Sequence, residues 1–184
     1  MSKKQETKRP LATMAELLKE KPKRGRPRHA VSRQNVYVAL SAAEKQTITT
    51  VAKQLPDGLK RADLPDLAIM VLATRMEALR RAVADRDREI PEGITDLESL
   101  YLLWDADLPV KTAVFKWTSI RVSPQQLIEL GRVGGVLKAA FSATRSETFS
   151  LALSLLTAFI STRTMDENDG TLSAMRKKIQ AVYL

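Results

Sequence analysis

The stretch "NVYVAL", Asn35 to Leu40, alternates with period two and is very short. Val36, Val38 and Leu40 point one way; Asn35, Tyr37 and Ala39 point the other. A strand of this length exposes unpaired backbone on both edges and cannot stand alone. Whatever this chain folds into, it must give that strand a second one.

A candidate lies further along the chain. "KWTSIRVS", Lys116 to Ser123, places Thr118, Ile120 and Val122 on one side and Trp117, Ser119 and Arg121 on the other. Both strands run directly into helix start signals. Ser41 opens "SAAE", a capping box in which the serine oxygen accepts a backbone N–H and Glu44 reaches back. Ser123 is an N-cap with Pro124 at the first helical position.

After the first strand, Ile48, Val51, Ala52 and Leu55 form one helical stripe, stopped by "PDG" at 56–58. A longer helix follows from about Ala62 to Arg86, with Leu64, Leu67, Val71, Leu72, Met76 and Leu79 inward. After the second strand, a helix from Pro124 to about Ala140 carries Leu127, Leu130, Val133 and Leu137. A last long helix starts in "SATRSE", 142–147, and runs through about Ser161, with Phe149, Ala152, Leu155, Leu156 and Phe159 inward.

The order strand, helix, turn, longer helix therefore occurs twice, over 34–86 and 116–163. Ser41 to Ala62 spans 21 positions and Ser123 to Ser146 spans 23. An acidic connector, 87–115, separates them, and its Leu100, Tyr101, Leu103 and Trp104 predict a short helix on the core. The tail, 164–184, predicts a small helix with a basic face. The fold class is mainly α with a short β ribbon.

Net charge is concentrated at one end. Residues 1–35 hold 11 Lys+Arg against 3 Glu, a net of +8; residues 36–184 hold 19 against 18, a net of +1. A near-neutral body with a basic, proline-containing arm over 1–33 reads as a binder of polyanions. Within the arm, "LATMAELLKE" at 11–20 has helical spacing and predicts a short docking helix. There is no cysteine, and the single histidine, His29, lies among the arm cations, where it reads as solvated. With no core histidine, phosphate loop or informative carboxylate pair, the chain reads as no enzyme, with no metal, cofactor or small-molecule ligand. No secretory leader follows Met1 and no apolar run reaches the ~18 residues of a membrane span. The expectation is a soluble bacterial cytoplasmic protein, associated with nucleoid or plasmid and with no membrane partner.

Strand, capped helix and a second helix opening on "TRSE" resemble the ribbon-helix-helix family of DNA-binding proteins. "TSIRVSPQQL…TRSETFSLAL" is the closer half; "NVYVALSAAEK…KRADLPDLAIMVL" departs from it at the start of the second helix. The resemblance implies that two strands pair antiparallel and enter the major groove. Base contacts would then come from Asn35, Tyr37, Ala39, Trp117, Ser119 and Arg121, with Arg33 and Lys116 beside them. Arg61 and Thr144, Arg145 and Ser146 would hold phosphates at the starts of the second helices. One chain can supply both strands, or like strands can pair between two chains; the length of the connector favours the first.

The arm segment "KRGRPR", 23–28, resembles an AT-hook. Gly25 lets the backbone approach the groove floor, Arg24 and Arg26 extend along a narrow A·T minor groove, and Pro27 keeps the chain extended. Lys21, Lys23 and Arg28 reach flanking phosphates. The implied partner is double-stranded DNA, with self-association on it. A transcription regulator is the first reading and a plasmid partition, transfer-accessory or other architectural protein the second.

Because the arm's charge is concentrated, deletion of residues 1–30 is expected to weaken binding to specific and unrelated duplexes alike. It should also flatten the salt dependence, by about 0.9 in log–log slope for each phosphate that the arm neutralises. A titration series in rising salt checks this; an unchanged slope refutes it.

Overall fold

The computed structural model describes residues 32–84, 94–110 and 112–184. The AT-hook-like segment, the rest of the basic arm through Val31 and the docking helix expected at 11–20 lie outside these residues. Residues 31–184 form one compact unit.

The first half comprises β1 (Gln34–Leu40), α1 (Ala42–Gln54) and α2 (Leu64–Ala84), with a 3-10 turn at Arg61–Asp63 leading into α2. The connector holds α3 (Leu97–Leu103). The second half comprises β2 (Lys116–Val122), α4 (Pro124–Phe141) and α5 (Arg145–Ser161), and α6 (Leu172–Tyr183) closes the chain. Among the described residues the protein is mainly helical with one small antiparallel sheet.

The caps explain the helix starts. Ser41 Oγ accepts from the Glu44 N–H at 3.2 Å while Glu44 Oε2 accepts from the Ser41 N–H at 2.6 Å. Thr144 and Glu147 repeat that exchange at 3.2 and 2.7 Å, so α5 begins at Arg145, after the Thr144 cap. Ser123 Oγ accepts from the Gln126 N–H at 3.4 Å. In the "PDG" turn Gly58 has φ +98°, and a Cβ there would lie 2.6 Å from the Gly170 carbonyl oxygen. Only glycine lets the turn after α1 lie against the turn before α6.

The two strands pair with each other. The register runs from Gln34 opposite Val122 to Leu40 opposite Lys116. The capping serines and both strand starts are offset by the same 82 positions (123 − 41 and 116 − 34). With that offset the ladder maps onto itself about the central pair Tyr37–Ser119, so the halves are related by a local two-fold.

The halves are also intertwined. β1 and α1 lie chiefly on α5, whereas β2 and α4 pack on α2; α2 and α5 pack on each other at the centre. Val36, Val38, Leu40, Ile120 and Val122 are buried on the inner face of the ribbon. So are Leu64, Leu67, Val71, Leu72, Phe149, Ala152, Leu155, Leu156 and Phe159 between the central helices. Met76 and Leu79, expected inward, are only half-buried. Each half then sends a third helix across. α6 packs on α2, with the Arg75 guanidinium 4.0 Å from the centre of the Tyr183 ring. The segment after α3 is tied to α5, where Ser154 Oγ donates to the Asp107 carbonyl at 2.9 Å.

A ribbon closed within one chain makes folding unimolecular. The thermal midpoint is expected to be independent of protein concentration from nanomolar to about 100 micromolar. Scans across that range check it; a midpoint that falls on dilution would mean that like strands pair between chains.

Candidate nucleic-acid interface

The ribbon turns one face to solvent. Tyr37 is 64% exposed and Trp117 74%, and Asn35, Ser119 and Arg121 are exposed beside them, with Ala39 half-covered. The cross-strand pairs on this face are Asn35–Arg121, Tyr37–Ser119 and Ala39–Trp117. The Ala39 N–H leaves the ribbon to donate to Ser146 Oγ at 2.8 Å. Ala39 and Trp117 are therefore a non-hydrogen-bonded pair, and so by alternation are the other two outward pairs. In such pairs the side chains stand closest, with Cα atoms about 4.5 Å apart. Neither strand contains a carboxylate, so Arg121 gives the face a positive character without internal compensation. Lys116, expected beside the base contacts, pairs with Leu40 and so lies on the inner-face side, exposed at the end of the strand.

Helix starts flank the ribbon. The Ala39–Ser146 bond draws the first turn of α5 to the edge of β1, and exposes Thr144 and Arg145 beside it. The hydroxyls of Thr144 and Ser146 are already used inside the protein: Thr144 caps its helix and Ser146 holds the strand. What remains for an anion at this point is the Arg145 guanidinium and the positive end of the helix. Arg61 is exposed in the turn before α2.

Arg33, expected among the DNA contacts, is turned into the fold. Its guanidinium donates to the Ala62 carbonyl and to Asp63, and lies 3.3 Å from Asp66 Oδ2. Its side chain is 17% exposed. Sequence reasoning missed the group that draws it there. Asp66 is buried, and its Oδ1 accepts from the Ser123 N–H at 2.9 Å. Because Gln34 pairs with Val122, Arg33 and Ser123 mark the same end of the ribbon, and Asp66 pins both segments where they flank it. Burial raises its carboxyl above the usual carboxylate range; the Ser123 N–H and Arg33 oppose this without cancelling it. Oδ2 lies within ion-pair distance of Arg33 yet forms no aligned hydrogen bond. The signal in the sequence was one carboxylate inside the apolar run "LPDLAIMVL".

Among the described residues no cluster of His, Cys, Asp or Glu could hold a metal ion, and no helix is long and apolar enough to cross a membrane. Compared with protein-family models, curated proteins and solved structures, the chain matches none of them.

The two faces of the ribbon should respond differently to truncation. Trp117→Ala and Arg121→Ala are expected to change unfolding free energy by no more than about 0.5 kcal/mol. Ile120→Ala, on the buried face, should cost about 2–5 kcal/mol. Urea titration of the three variants checks this; a large loss in Arg121→Ala would make the outward row structural.

Proposed function

We propose that this protein is a sequence-specific double-stranded DNA-binding regulator of ribbon-helix-helix type, with both halves of the usual pair carried on one chain. The observation that carries the reading is the solvent-facing row Asn35, Tyr37, Trp117, Ser119 and Arg121 on a two-stranded antiparallel ribbon. A two-stranded ribbon fits the major groove, and outward side chains there meet base edges. Arg145 at the start of α5 and Arg61 before α2 supply backbone contacts on either side, and the basic arm adds affinity.

The pseudo-symmetry has a consequence for the DNA. In a symmetric dimer both strands present the same residues, and the operator mirrors that symmetry. Here the local two-fold relates Asn35 to Trp117, Tyr37 to Ser119 and Ala39 to Arg121. No position is matched, so the recognised element is non-palindromic.

Arg121 is the arginine of the outward row and the side chain best shaped to grip guanine O6 and N7 together. Arg121→Ala should lose about 1–3 kcal/mol of discrimination at one base position and leave the remainder of the motif intact. Selection from random-sequence DNA with parent and variant checks this. A palindromic parent motif, or identical motifs from both proteins, would refute the reading. Footprinting then separates regulator from architectural protein: one site at a promoter supports the first, tandem arrays the second.

A further inference from the structure

The outward row of the ribbon is polar at one end and apolar at the other. Asn35 pairs with Arg121 next to the end closed by Gln34 and Val122, and Ala39 pairs with Trp117 next to the end closed by Leu40 and Lys116. The two pairs lie four positions apart on each strand (39 − 35 and 121 − 117), which is about 14 Å at about 3.4 Å per residue. The local two-fold exchanges these ends, so a symmetric ribbon could not hold the difference.

Trp117, 74% exposed, is the largest of the exposed apolar side chains among the described residues. The position opposite it is fixed. Val38 and Leu40 are buried on either side of Ala39, and the Ala39 N–H donates to Ser146 Oγ at 2.8 Å. In a non-hydrogen-bonded pair the side chains stand close together. The Ala39 methyl and the indole therefore make one apolar surface at this end of the row, and the body leaves most of the indole in water.

The polar repertoire of the pair is narrow. The indole N–H donates, and neither side chain accepts. In the major groove adenine and cytosine present amino donors at N6 and N4. Such a donor, covered by this pair, would lose water without gaining an acceptor. Guanine presents two acceptors but no apolar group. Thymine presents the O4 acceptor and a C5-methyl group, and so matches both the donor and the apolar surface.

We propose, on the DNA reading above, that Trp117, with Ala39 beside it, reads the C5-methyl group of a thymine at the end of the element opposite the base read by Arg121. Trp117 is then a specificity-determining residue, and the element has a chemical direction. A guanine with its two acceptors marks one end and a methyl group marks the other.

The test uses the full chain and the duplex motif that it selects from random-sequence DNA. Deoxyuridine replaces thymidine one position at a time, which removes the C5-methyl group and leaves every hydrogen-bonding group in place. One replacement, at the end of the motif away from the position that Arg121→Ala relaxes, should weaken binding about fourfold, the factor expected for one buried methyl group. Trp117→Phe keeps an aromatic face against the methyl and should retain that loss. Trp117→Ala should erase it, so that the thymidine and deoxyuridine duplexes bind alike. Uracil tolerated at every position, a loss that persists in Trp117→Ala, or a Trp117-dependent loss at the Arg121 end would each overturn the methyl contact and leave the DNA reading standing. Failure to select any motif would overturn both.

Discussion

Pairing between β1 and β2 is the constraint on which the rest of the structure depends. Each strand has seven residues and no stable existence without the other, because its backbone donors and acceptors would face water on both edges. Once paired, the inner face presents five large aliphatic side chains whose burial is worth about 1.5–3 kcal/mol each. Those side chains can be covered only by α2 and α5 together. The swapped arrangement follows: a strand of one half rests on the long helix of the other, so neither half owns a core. Closing the ribbon joins residues 76 to 88 positions apart (Leu40 to Lys116, Gln34 to Val122), so this pairing carries a loop-closure cost that local helix formation does not repay.

Asp66 shows how the ribbon is held once formed. A buried carboxylate is unfavourable by itself, and the upward shift of its pKa reflects that. It is tolerated because two separate stretches of backbone need it. The Ser123 N–H, which begins the second capped helix, would otherwise lack this acceptor, and Arg33 would lose a buried counter-charge. At the opposite end of the ribbon the tie is neutral, from the Ala39 N–H to the Ser146 hydroxyl. One end is fixed by charge and the other by a hydroxyl, a difference that a chain with two distinct halves can carry and a symmetric dimer cannot.

That freedom to diverge runs through the molecule. The third helices differ in length: α3 has seven residues and α6 twelve. The equivalent positions Glu44 and Gln126 each keep a buried side-chain oxygen without a hydrogen-bond partner, but one side chain is an acid and the other an amide. The outward residues of the strands have no identity in common across the two-fold. Symmetry is retained where backbone pairing and core packing demand it, and is absent where side chains meet solvent.

Much of this was legible in the sequence, for local reasons. Period two in "NVYVAL" and "TSIRV" determined the strands and which side chains turn outward. Serine and threonine three positions before Glu44, Gln126 and Glu147 determined the helix starts, because a cap is a contact between near neighbours. What the tertiary structure decided depends on distance in the chain. That β1 pairs with β2 of the same chain, that Ser146 holds a strand and that Arg33 turns inward to Asp66 are contacts across 29 to 107 positions, and no periodicity encodes them. Arg33 reads as one more cation of the arm until the fold brings two carboxylates to it. Glu44 reads as a completed cap until the fold buries its second oxygen without a hydrogen-bond partner. Sequence determined what each segment is; the fold alone decided what each side chain has left to give.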